Sequence, residues 1–170
     1  IEAINQAAEV CSRAGFLTFK KNGFSSEIAK IYLIDEKVEE IEAYLESAFG
    51  YEPKSRKRQY VEQMIARYSG ISPVADRECE RLKGILAQNK IPNNYLQIEA
   101  VLKALTFIEK NENLLYVREA SMLIYGSSKY LEDNTLESVC NLLRAYEKMP
   151  CEEGEIQEEI LQKYHIVPKK

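Results

Sequence analysis

Arg118 and Lys129 frame the stretch "YVREASMLIYGSSKYLED", residues 116–133, with Ser127 and Ser128 between them. Each cation stands where a helix is expected to begin, the end at which the helix dipole disfavours positive charge. A cation placed there calls for an anion. One candidate is a phosphate, since two cations, two hydroxyls and the free N–H groups of a helix start suit a nucleic-acid backbone. The other is an internal clip from Arg118 or Lys129 to Glu132. The two readings are compatible. Two further cationic groups point to the same chemistry: Lys54, Arg56, Lys57 and Arg58 in "KSRKR", and Lys20 with Lys21 near an expected hairpin tip. The whole chain carries a net charge of −4, so any polyanion must be held by such local patches. The plainer alternative for 54–58 is a solvated helix start.

Catalytic patterns are scarce. The sequence has no glycine-rich phosphate loop, no Gly-x-Ser-x-Gly elbow and no Asp-x-Asp pair. The acidic run "CEEGEIQEE" is spaced as an exposed helix start, not as a metal site. The single histidine, His165, has no partner in sequence and reads as a packing or capping residue. Eleven tyrosines raise the question of a tyrosine nucleophile, which needs a nearby base or cation and usually a metal. Tyr125 and Tyr130 flank the turn of the opening stretch but read as half-buried rings. The four cysteines, at 11, 79, 140 and 151, lack metal-ligand spacing. Cys11 and Cys140 fall on apolar helical faces, which implies free thiols and a reducing, cytoplasmic setting.

These residues need elements to hold them. Ile4, Ala7, Ala8 and Cys11 share one helical face, ended by Gly15. Two β-rich runs then flank Asn22-Gly23, a hairpin signal. Asp35 is the expected cap of a helix striped by Val38, Ile41, Leu45 and Phe49 and closed by Gly50. Tyr60, Met64 and Tyr68 mark the next helix, and 74–90 another. Ile98, Val101, Leu102, Leu105 and Ile108 give a strongly amphipathic one. A short β-rich piece at 114–117 precedes a helix over 118–125. Gly126 turns the chain, Ser127 or Ser128 caps the following helix, and Leu136, Val139, Cys140, Leu143 and Tyr146 form its buried face. That sequence of helix, turn and capped helix is helix-turn-helix geometry. A helix over 155–164 follows, with "HIVPKK" as a tail. The expected fold class is mainly α with small β-hairpins (α+β), as winged-helix-like lobes joined by a helical arm. The expected segments are a helix-plus-hairpin lobe at 1–52, a helical connector at 53–92 and a winged-helix domain at 93–170. No apolar run is long enough to cross a membrane.

"LYVREASMLIYGSSKYLED" resembles the segment of JetD-type proteins that reads roughly "lyiRElSi-ifGdSKylE". These are the nuclease subunits of Wadjet anti-plasmid systems. The matching positions are Tyr116, Arg118, Glu119, Ser121, Gly126, Ser128, Lys129 and Glu132. The order of elements agrees loosely along most of the chain, from a wing-like hairpin with "KIYL" to a helix ending in "YHIV". The resemblance implies kinship with the topoisomerase VI A subunit, a winged helix of the catabolite-activator type and a C-terminal Toprim domain. That domain would hold Mg or another divalent metal and cut DNA. The chain begins at Ile1 and is expected to be a fragment ending before the Toprim domain, without a cofactor of its own. In the transesterase relatives an Arg-Asp-Ile-Tyr-Tyr segment supplies the attacking tyrosine; here Ser121 and Met122 stand at the two tyrosine positions. Ser127 stands where the family often has Asp.

The resemblance and the cations together imply a non-catalytic, DNA-engaging piece of a nuclease subunit. Its DNA-binding residues would be Lys20, Lys21, Lys54, Arg56, Lys57, Arg58, Arg118, Ser128 and Lys129, with Glu119, Ser121, Gly126 and Glu132 shaping the motif. The implied partners are double-stranded DNA, a second copy in a homodimer and an SMC-like JetABC complex, with no membrane. The alternatives are a dimerisation or docking module, and a winged-helix transcription regulator.

Overall fold

A computed structural model of the chain describes residues 2–146 and 157–168. The fold is α+β and mainly helical, and it divides into two compact units, Ile1–Lys54 and Ser55–Lys170. Sequence patterning suggested three segments, with 53–92 as a separate connector. The helices of that stretch share one core with those that follow.

In the first unit, α1 (Glu2–Arg13) stops at Gly15, which adopts the left-handed conformation at φ 77. The Gly15 N–H bonds Ser12 O and the Phe16 N–H bonds Cys11 O, both at 3.0 Å, the double closure that a left-handed residue after a helix permits. The chain then enters β1 (Leu17–Lys21), antiparallel to β2 (Ile28–Leu33) in the register Leu17↔Leu33 to Lys20↔Lys30, with an irregularity before Lys21↔Ile28. The connection is not a two-residue Asn-Gly turn. It spans residues 22–27 and is closed by Asn22 N to Glu27 O at 2.9 Å and Ser25 N to Asn22 O at 2.7 Å. Asp35 does not cap α2 (Val38–Phe49). Residues Asp35–Lys37 form a 3-10 turn whose N-cap, Ile34, has no side-chain acceptor and gives its N–H to Phe16 O at 3.2 Å, and Lys37, not Asp35, stands at the N-cap of α2. Between Glu2 and Gly50 only Ala8 is buried.

The larger core belongs to the second unit. It is built by α3 (Lys54–Tyr68), α4 (Pro73–Ala87), α5 (Tyr95–Ile108), α6 (Val117–Tyr125), α7 (Leu136–Tyr146) and α8 (Gln157–Gln162). Leu82, Leu102, Leu105, Ile108, Val139, Leu143 and Ile160 are fully buried within it. The apolar stripes read from α5 and α7 are the buried faces of those helices, as helical periodicity demands. The tail holds an unexpected element. Ile166–Val167 forms β4, which runs parallel to β3 (Leu115–Tyr116). His165 adopts a left-handed φ of 60 just before it, and its carbonyl accepts the Leu115 N–H at 2.9 Å. A hairpin wing is not found in this unit among the described residues. Among them too, no helix is long and apolar enough to cross a membrane.

Candidate nucleic-acid interface

The hairpin of the first unit places Lys20 directly opposite Lys30. Side chains alternate across a strand, so Thr18 and Lys20 share a face with Lys30 and Tyr32. All four are exposed, and the Lys20 ammonium lies 5.9 Å from the centre of the Tyr32 ring. Neither lysine makes an ion pair among the described residues. Like charges directly opposite one another destabilise a strand pair. This hairpin keeps them, and a polyanion would relieve them. Lys21 lies beyond the irregularity and is occupied elsewhere, 3.4 Å from the Glu9 carboxylate and 5.7 Å from the Phe19 ring centre. Of the two lysines expected at the hairpin, Lys20 lacks an ion pair among the described residues and Lys21 has one; Lys30 and Tyr32 beside Lys20 were not legible in the sequence, because the partner of Lys20 depends on register.

The corner in the second unit is built by hydrogen bonds. The Tyr116 N–H donates to the Glu119 carboxylate at 2.8 Å, capping α6. Gly126 ends α6 at φ 72, with its N–H on Met122 O at 2.8 Å. The Ser121 hydroxyl, fully buried, donates to Ser127 O at 2.5 Å and accepts the Leu131 N–H at 3.0 Å. Ser121 thus does the capping that local sequence assigned to Ser127 or Ser128. The next helix opens through a π-helical turn, Leu131–Thr135, before α7. The clip is real: Arg118 Nε lies 3.4 Å from Glu132 Oε2, with both side chains about half exposed. Glu132 and Glu158 line, together with Arg118, a groove of about 390 Å³. Lys129 is exposed and makes no ion pair among the described residues, and Ser128 is half-buried without a hydrogen bond among them.

The basic run forms the first turns of α3. Arg58 is committed internally, with Nε 2.9 Å from Glu62 and Nη1 3.1 Å from Leu86 O, where a cation meets the carbonyl end of α4. Lys54, Arg56 and Lys57 also have partners. Of the cations expected to meet phosphate, Lys20 in one unit and Lys129 in the other make no ion pair among the described residues, and Lys30 stands opposite Lys20.

The tyrosines are not set up to attack. The Tyr125 hydroxyl donates to Ala100 O at 2.7 Å and lies 3.0 Å from Thr135 Oγ1. Burial pushes its phenol up to about 12, only partly opposed by the Thr135 bond. The Tyr130 ring packs against it in a tilted arrangement, with ring centres 4.5 Å apart. The Tyr60 hydroxyl donates to Glu99, whose carboxylate raises that phenol to about 12 as well. An attacking tyrosine needs the opposite shift. Among the described residues no three His, Cys, Asp or Glu side chains converge as metal ligands, and most of the acidic run at 151–159 lies outside them. Cys11, Cys79 and Cys140 are free thiols.

Compared with family models, curated proteins and solved structures, the chain gives no match.

Proposed function

We propose that the chain is a non-catalytic, DNA-engaging portion of a JetD-like nuclease subunit of the cytoplasm, and that it grips duplex DNA by the phosphate backbone. The observation that carries this reading is the exposed Lys20–Lys30 pair beside Tyr32, a like-charge arrangement that costs the hairpin stability and gains from an anion. Lys129, free at a helix start, supplies a second contact. Backbone contacts of this kind give weak, salt-sensitive affinity without sequence preference. Catalysis would reside in a Toprim domain outside these residues, so sequencing the reading frame beyond Lys170 tests the kinship directly.

The test of binding is a titration of a fluorescent duplex at several salt concentrations. Binding should weaken steeply with salt, and Lys20→Ala with Lys30→Ala should lower the log–log slope by about two, at about 0.9 per phosphate contact. Salt-independent binding, or a slope unchanged in the double variant, would overturn the proposal. A second reading, a dimerisation or docking module, is favoured by the apolar side chains exposed in the first unit, among them Ile4, Val10, Phe24 and Phe49. Sedimentation distinguishes it: a stable dimer that shifts no DNA supports docking over DNA engagement.

A further inference from the structure

The hairpin of the first unit has only two strands, so β2 has a free edge. An open groove of about 470 Å³ runs along that edge, lined by Ile4 and Asn5 of α1 and by the consecutive residues 27–31. No residue of β1 lines it, so the groove follows the strand's backbone edge and not the face of the sheet. The Ile34 N–H bonds Phe16 O, and antiparallel pairs alternate between hydrogen-bonded and open. By that alternation the N–H groups of Ile31 and Leu33 point away from β1, toward the free edge.

An incoming strand would meet two different faces. Beside Lys30 it would extend the row Lys20–Lys30 by one position. On the other face it would lie against Ile31 and Ile4. Charge decides the occupant: Glu27 stands at the start of the lining run, but the position beside Lys30 extends a row of two lysines. A second copy pairing through β2 around Lys30 would align four lysines, and like charges side by side are unfavourable. An acidic side chain in that position turns the repulsion into a favourable pair.

We propose that the free edge of β2 takes up an extended peptide segment in which acidic residues alternate with apolar ones, adding a third strand to the hairpin. The acidic side chains sit over Lys30, and the apolar ones enter the groove between α1 and β2. Backbone hydrogen bonds supply affinity, and the lysine row supplies selectivity. The proposal does not depend on DNA binding, and its test contains no nucleic acid.

The probe is a fluorescein-labelled nine-residue peptide of alternating Val and Glu, titrated into the full 170-residue chain, with an alternating Val-Lys peptide as control. The Val-Glu peptide should bind at least tenfold more tightly than the control and slow amide hydrogen exchange at Ile31 and Leu33 by at least tenfold. Replacing both lysines, Lys20→Glu with Lys30→Glu, should reverse the preference toward the Val-Lys peptide and let that peptide protect the Ile31 and Leu33 amides, a protection that charge attraction to an unfolded hairpin cannot produce. Equal affinity for the two peptides overturns the proposal, as does unchanged exchange at Ile31 and Leu33. Concentration-dependent protection of those amides without peptide also overturns it, by assigning the edge to a second copy.

Discussion

Ser121 is the residue on which the corner of the second unit turns. Its one hydroxyl both gives and takes a hydrogen bond, to Ser127 O and from the Leu131 N–H, in a site closed to water. Ser121→Ala leaves the buried Leu131 amide without a partner, at a cost of roughly 1–3 kcal/mol, and takes the donor from the part-buried Ser127 carbonyl. The urea midpoint should fall accordingly, whereas Arg118→Ala, which breaks a half-exposed ion pair, should change it by less than about 1 kcal/mol. The contrast matters because sequence reasoning gave the cation the leading part at this corner. Tyr125 adds a pH dependence. Its phenol is held up at about 12, chiefly by burial, against the ordinary value of 10, so the folded chain holds that proton more tightly than the unfolded one. The stabilisation is complete below pH 10 and is lost as pH climbs through about 12. Urea midpoints measured across that window should fall less steeply in Tyr125→Phe than in the parent chain, and equal slopes would contradict the assignment. Below pH 10 the same variant should be slightly weaker, because Ala100 O loses its donor.

At the scale of elements, helix starts are served from a distance. α4 follows Ser72, the residue that local rules would choose as its cap, yet the Ser72 hydroxyl is buried without a partner. The Glu109 carboxylate, arriving from the end of α5, instead accepts the Val74 and Ala75 N–H groups at 3.0 and 3.3 Å. An anion at that position also suits the dipole. Two glycines give a sharper test of element logic, because an added Cβ meets nothing within 4 Å at either. Gly126 holds φ 72 at the end of α6, so Gly126→Ala should destabilise by about 1–2 kcal/mol through backbone strain alone. Gly84 lies inside α4, so Gly84→Ala should stabilise by about 0.5–1 kcal/mol. Denaturation of the two variants should give opposite signs for one and the same substitution. These cases also mark what could be read in advance. The amphipathic stripes of α5 and α7 and the stops at Gly15, Gly50 and Gly126 were legible because period and left-handed closure are local properties. Glu109, β4 and the Lys20–Lys30 register were not, since each is decided by what the fold brings alongside. The two-residue pairing of Leu115–Tyr116 with Ile166–Val167 is too short for alternation to announce it.

The whole molecule is uneven. The second unit buries a continuous apolar cluster from Val61 to Ile166. The first buries only Ala8 between Glu2 and Gly50, and leaves Ile4, Val10, Leu33 and Phe49 exposed. A segment of about 50 residues rarely holds itself together on so little core. The first unit should therefore open at far lower cost than the second, and the chain should not behave as a single two-state system. Hydrogen exchange of the free chain should show amides of β1 and β2 exchanging orders of magnitude faster than those of α5 and α7. In urea the first unit should melt in a separate, earlier transition with a small slope, since little surface becomes newly exposed. Any partner that binds only the folded hairpin must raise its protection by mass action, and must leave α5 and α7 unchanged. That coupling makes the hairpin a sensitive reporter. Duplex DNA acting through Lys20 and Lys30 should protect β1 and β2 at low salt and release them as salt rises. Protection that appears on dilution-sensitive self-association instead would show that a second copy, not DNA, completes the unit. A single cooperative transition with equal protection in both units would mean that the exposed apolar surface of the first unit is already covered in the free chain.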